Sequence, residues 1–359
     1  MQITQGRILA QRFYDIAGEV DLPMAESLLN AQLREPPAVR KVKHLRIPHP
    51  PVEVALMPRH SGVPDLPAGE VRLRIYDVGV LAITFEIHLP TPLDGEALVR
   101  FSAAVLDNAE GITEVGRAVA KDVAATVLKA CKDPQLSELS EDYTIVALEK
   151  TDPPVTAENI SREIDVARVL LGEINALSNQ ERAEALRRSY CYDPSQLVIV
   201  TWNSALVFGR EGFSDIQDLL EVAGMQLLEL RHYDDEVRRS LDRLYDELEG
   251  DHRAFRWANR YRRLSREIMR LFVDVTEVAE RAESSLQWLG DTWYARVHRA
   301  AVKAFDIPRW QRQLEHKLDL LQEINELIVD QIHTRQSMGL EWAVVLLILF
   351  EIVMAFFRL

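Results

Sequence analysis

From Ile216 onward, apolar residues recur in steps that alternate four and three: Ile216, Leu220, Ala223, Leu227, Leu230, Val237, Leu241, Leu244 and Leu248, with Asp234 as the polar member. A 3.5-residue repeat sustained over about five heptads keeps one seam of an α-helix facing a partner helix, and no strand can satisfy it. Glu249-Gly250-Asp251 breaks the pattern, and a second register follows at Trp257, Tyr261, Leu264, Ile268, Leu271, Val275, Val278, Ala282 and Ser285. Two helices of near-equal length with a short connection fold back on each other. The spacing therefore predicts an antiparallel coiled-coil hairpin roughly 50 Å long. Asp234, inside the seam, reads as a register-setting polar residue.

The remainder must supply a separate core. At 359 residues the chain exceeds one typical domain, and 47% apolar content is enough to build one or more cores. A mean hydropathy of -0.11 excludes a multi-span membrane protein. The formal charge of -14 repels polyanions, so general nucleic-acid binding is not expected. Two cysteines, Cys131 and Cys191, are too few for a disulfide framework and point to a reducing compartment. The first twenty residues contain no apolar signal region and no Arg/Ser-rich presequence.

Residues 1–209 read as one α+β unit. Alternation over Ile8, Ala10, Arg12 and Tyr14 predicts a strand. Asp21 followed by Pro23 opens a short helix to about Leu33, which Pro36-Pro37 ends. Val39–Ile47 and Val52–Met57 read as strands, and Val71–Ile75 with Val80–Leu89 as a hairpin turning at Asp77-Val78-Gly79. Leu93–Cys131 is predicted helical with a break near Gly111, Tyr143–Leu148 a strand, Ala157–Tyr190 helical, and Leu197–Thr201 with Ser204–Phe208 a second hairpin. The hairpin arm and a short helix capped by Asp291 occupy 210–305. A long helix opened by Asp306 and Pro308 fills 306–359, with no Gly or Pro after Pro308 until Gly339.

That last helix ends in LEWAVVLLILFEIVMAFFRL. About 18 residues span roughly 27 Å as a helix, close to a hydrocarbon core, so 338–358 is expected to cross a membrane. Trp342 suits one interface and Arg358 the other. Leu, Ile, Val and Phe residues from Val344 to Phe357 contribute about -4.5 kcal/mol to insertion, against a cost of about 3 kcal/mol for Glu351. Glu351 is then expected to join helices in an oligomer.

Leu340, Glu341, Trp342 and Glu351, preceded by a long helix with Arg335, resemble the C-terminus of the "required for meiotic nuclear division" family. The resemblance covers about the last 50 residues. It implies a membrane-bound, self-associating protein, and its mitochondrial members sit at the inner membrane and support organellar translation. It brings no catalytic residues. The lack of a presequence makes a bacterial member, on the cytoplasmic side of the inner membrane, the expectation.

No GxGxxG after a strand, GxxxxGK[ST], HExxH or GxSxG is present, and no cofactor is expected. His44, His49, His60 and His88 lack ligand spacing, and Asp234-Asp235-Glu236 point apart on a helix. One local charge stands out: Arg253, Arg256, Arg260, Arg262, Arg263, Arg266 and Arg270 lie within 18 residues, with Glu267 the only acid. These arginines either pair with Asp242, Asp246, Glu247 and Glu249 across the hairpin or form a docking face for RNA, a ribosome or anionic lipid.

The expected architecture is thus α+β: a mixed N-terminal unit, an antiparallel coiled-coil hairpin and a C-terminal membrane helix. The expected function is a non-enzymatic, membrane-anchored, self-associating scaffold or adaptor, linked to translation or to the membrane, with a protein or ribosome partner on the arm. Two alternatives stand beside it. One is an ion-conducting or ion-regulated assembly, since the order of parts is similar to that of CorA-type magnesium channels. The other is an enzyme with its site in the first half.

Overall fold

The computed structural model describes residues 1–30, 49–64, 66, 68–209, 213–249, 266, 269, 272–273, 276 and 292–357. The expected strand Val39–Ile47 and every position of the second coiled-coil register lie outside them. The described part is mixed α/β, with a large, mainly antiparallel N-terminal sheet and C-terminal helices. The strands are β1 (Gln2–Asp15), β2 (Ala17–Val20), β3 (Val52–Arg59), β4 (Gly69–Ile75), β5 (Val80–His88), β6 (Cys131–Pro134), β7 (Ser140–Asp152), β8 (Ser189–Cys191), β9 (Leu197–Val200) and β10 (Ser204–Phe208). The helices are α1 (Leu22–Asn30), α2 (Gly95–Asp107), α3 (Ala109–Val127), α4 (Ile160–Glu163), α5 (Val166–Leu171), α6 (Asn179–Ala185), α7 (Phe213–Glu249), α8 (Thr292–Ala304) and α9 (Ile307–Phe357).

Eight strands form one sheet in the order β3-β4-β5-β1-β7-β10-β9-β8, and β2 pairs with β6 in a second. Neighbours run antiparallel except β7 and β10, where Ser204 stands opposite Thr144. A parallel pair needs a crossover, and the segment from α4 to β9 provides it. The β4–β5 turn depends on Gly79, whose φ is +84° and whose added Cβ would lie 1.6 Å from the Ala17 carbonyl oxygen.

Side chains alternate across each strand, so the sheet has two faces of different chemistry. Ile8, Ala10 and Tyr14 of β1, Val71, Leu73 and Ile75 of β4, and Leu81, Ile83, Phe85 and Ile87 of β5 form the apolar face. It packs under α1, α2, α3 and α5 in one continuous core. The opposite face carries Gln11, Arg72, Arg74, Thr84 and Glu86, and the first half of α7 covers it. Gly224 makes this approach close enough to matter: an added Cβ would sit 2.6 Å from the Phe13 ring.

Several local expectations are met. Asp21 accepts the Met24 N–H at 3.0 Å and starts α1, and both predicted hairpins form. Others are corrected. The helical stretch from Gly95 breaks at Asn108, whose amide donates to the Ala104 carbonyl at 2.8 Å. Gly111 lies inside α3 instead, where the backbone at Gly62 comes so close that a Cβ there would be 2.6 Å from the Gly111 oxygen. Residues 157–190 hold three short helices and β8 in place of one helix, because Gly172 ends α5 in the left-handed region.

By internal contacts the chain divides into Met1–His232 with Ala279–Trp310, and Tyr233–Val278 with Gln311–Leu359. In the second unit Val237 and Leu241 of α7 and Leu314, Leu318 and Leu321 of α9 are buried. Asp234 accepts a 2.6 Å ion-paired hydrogen bond from Lys317.

The expected membrane crossing at 338–358 is overturned. Among the described residues no helix is long and apolar enough to cross a membrane. Two acids interrupt the segment, Glu341 and Glu351. Between Glu341 and Glu351 the uninterrupted apolar run is Trp342–Phe350, about 14 Å of helix against a hydrocarbon core of roughly 30 Å.

Candidate functional site

Two places concentrate chemistry: the polar seam between the sheet and α7, and the far end of α9. The seam is centred on Arg74, which is almost fully buried. Its guanidinium donates to Asp218 at 2.5 Å, to Glu53 at 3.1 Å and to Glu221 at 3.4 Å. Glu221 also accepts from the Tyr76 hydroxyl at 2.7 Å and from the Gln11 amide at 3.1 Å. Strand alternation puts Arg74 and Gln11 on one face, and a three-residue helical step puts Asp218 and Glu221 over them.

The seam holds its protons firmly. Burial alone would lower the Arg74 pKa, but Glu221 and Asp218 outweigh it and hold the guanidinium above its ordinary value. Burial, reinforced by Glu221, pushes the Tyr76 hydroxyl well above the usual tyrosine range. Neither group is set to exchange a proton near neutrality, so the cluster works as a lock between helix and sheet. A second knot lies beside it. Glu86 is ion-paired with Arg7 and Arg72, and Arg7 stands over the Phe213 ring at 4.9 Å.

Further along α7, Arg231 pairs with Glu141, and His232 lies 3.3 Å from Asp15. Burial pushes the Glu141 carboxyl up to about 7, against the opposing pull of Arg231. On α8, burial pushes His298 down to about 4, and neither ring nitrogen has a hydrogen-bond partner among the described residues. On the apolar face, Arg12 is fully enclosed and donates to Thr113 Oγ1 at 2.8 Å, the Gln11 carbonyl at 2.7 Å and the Ala109 carbonyl at 3.0 Å.

The sequence-predicted residues fall elsewhere. Asp234 sits in a helix seam and meets Lys317. Of the basic face, Arg253, Arg256, Arg260, Arg263 and Arg270 lie outside the described residues; Arg266 is helical, exposed and engaged by a neighbour. Leu340, Glu341, Trp342 and Glu351 are helical in α9, with Glu341 and Trp342 exposed, and Arg358 lies outside the described residues. His49 contacts Asp77 at 2.6 Å and His60 the Leu66 carbonyl at 3.2 Å, while His44 lies outside the described residues.

Sequence reasoning missed the seam. Its signal was present: Arg72 and Arg74 alternate with Val71, Leu73 and Ile75, and Asp215, Asp218 and Glu221 recur every three residues. The heptad reading picked out Ile216, Leu220 and Ala223 and left those acids unassigned. In the structure all three are buried.

The far end of α9 has a different character. Val344 to Phe350 are seven consecutive apolar residues, each more than half exposed, and Trp342 and Met354 add to them. At about 100° per residue, seven positions go almost twice around a helix, so every side is apolar.

The family model for the N-terminal domain of the uncharacterized protein MJ0711 matches residues 5–215. A relative described as "Uncharacterized protein MJ0711", from Methanocaldococcus jannaschii, is 21% identical over 216 residues, 60% of this chain and 66% of its own length. The chain thus spans slightly less than two thirds of the curated relative it matches. These matches overturn the resemblance to the "required for meiotic nuclear division" family, because they lie at the N-terminal end and point to a different family. The match takes in the eight-stranded sheet apart from the first residues of β1, and it ends at the start of α7. The chain belongs to the family defined by the N-terminal domain of MJ0711.

Proposed function

We propose that this protein is a non-catalytic, self-associating scaffold. Its α/β unit forms a fixed base, and its helical arm carries the contacts with other molecules. The observation that carries this reading is the exposed apolar run Val344–Phe350. An apolar patch of that size in water marks an interaction site. The chemistry of the α/β unit supports it from the other side. Arg74, Asp218, Glu221 and Tyr76 bond to one another within the seam, and the Gln11 amide donates to Glu221. The arm is read as a coiled coil, because Leu314, Leu318 and Leu321 keep the four-three step and are buried, as are Val237 and Leu241.

Sedimentation velocity on the full chain and on a chain ending at Ser337 tests the proposal. The full chain is expected to sediment as an assembly and the shortened chain as a folded monomer. Equal sedimentation of the two, both folded, removes the basis for a scaffold.

A further inference from the structure

The partner of the α9 run can be specified further, and the argument rests on the scaffold reading above. We infer that the run is covered by the same run on other copies of this chain, in a bundle of at least three helices.

The first reason is area. Trp342 and Val344–Phe350 are eight exposed apolar side chains. Together they present on the order of 1,000 Å² per copy, where a stable interface buries roughly 800 Å² per partner. A dimer seam could therefore be stable in size. The second reason is distribution, and it excludes the dimer. One neighbouring helix covers a stripe roughly 100° wide. Residues 344–350 are exposed and apolar all the way around the helix. A dimer leaves most of that surface wet, whereas a closed bundle gives each helix at least two neighbours. The third reason is charge. No ionisable residue lies between Trp342 and Phe350, so copies can meet there without burying a charge, even though each chain carries a net -14. Glu341, exposed at the start of the run, stays at its rim.

Light scattering on the full chain in detergent-free buffer reads the number of copies directly. The expected mass is at least three times that of the 41.0 kDa chain. Leu346→Lys and Ile348→Lys, which lie on nearly opposite sides of the helix at about 100° per residue, are each expected to lower it, since both sides of the run are covered. Phosphatidylcholine vesicles are expected not to carry the assembled chain upward on flotation.

A dimeric mass overturns the bundle while leaving the scaffold reading intact. A single effective lysine, with the other harmless, has the same meaning. Flotation of monomers with vesicles overturns the inference in favour of a lipid surface. Equal size of the full chain and the chain ending at Ser337 overturns the scaffold reading itself. Circular dichroism of the lysine variants, expected to match the parent, separates lost association from lost folding.

Discussion

Glu141 and His298 are both buried, and burial acts on them in opposite directions. The Glu141 carboxyl rises from about 4.5 to about 7, so the folded state holds that proton more tightly than the unfolded chain does. Its contribution to stability is present below about 4.5 and lost as pH rises through about 7. The His298 imidazole falls from about 6.5 to about 4, so the folded state resists protonation. Its contribution is present above about 6.5 and lost as pH falls through about 4. Each is worth up to about 3 kcal/mol, and between about pH 4.5 and 6.5 the two slopes oppose. Urea unfolding of the wild type is therefore expected to change little across that window. Glu141→Gln should unmask a loss of stability toward acid, and His298→Leu a gain. Parallel slopes in all three proteins would show that neither burial governs the pH response. Arg74 is a second test at this scale. Arg74→Met strands Asp218, Glu221 and Glu53 in the seam and is expected to cost about 3–5 kcal/mol in unfolding free energy. Arg74→Lys should recover little, because a point charge cannot reach three carboxylates with one planar fork. The pairing in these environments is not legible in sequence, since each partner lies far along the chain, as Arg74 does from Asp218.

Among the elements, α7 shows how one helix serves two settings. Its first half is buried on nearly all sides, between Phe213 and Leu230, and includes Asp215, Gln217, Asp218 and Glu221. Its second half buries Val237 and Leu241 and pairs Asp234 with Lys317. The four-three periodicity runs through both halves, so it identified the helix and its apolar stripe. It could not reveal that the polar side of the first half also meets a surface. Gly224 is the residue that allows the close approach. In an isolated helix Gly→Ala gains about 1 kcal/mol. Here the new methyl meets the Phe13 ring, and Gly224→Ala is expected to destabilise by about 1–3 kcal/mol. Phe13→Leu should relieve part of that loss in the double variant, read as a coupling energy in a double-mutant cycle. Additive effects would mean that the ring is not what the methyl meets. Strand alternation was the more readable signal: β4, β5, β9 and β10 emerge close to where the apolar/polar pattern places them. Residues 157–190 were not readable, because short helices ended by caps such as Gly172 leave too little periodicity to distinguish from one longer helix.

At the scale of the whole molecule, the α/β unit and the end of α9 make separate demands. The unit has its own core and a sheet covered on both faces. Ending the chain at Ser337 is therefore expected to leave its thermal midpoint unchanged while abolishing assembly; a lowered midpoint would show that the apolar run stabilises the fold itself. The sequence by itself determined the α+β class, both hairpins, the long C-terminal helices and the apolar character of the α9 run, because strand and helix periods are local properties of the chain. Its reading of that run as a membrane crossing did not hold: among the described residues no helix is long and apolar enough to cross a membrane. Only the tertiary structure decided the strand order, the parallel β7–β10 pair and the seam at Arg74. Those depend on which distant residues come together, and a one-dimensional pattern of apolar and polar positions does not contain that information.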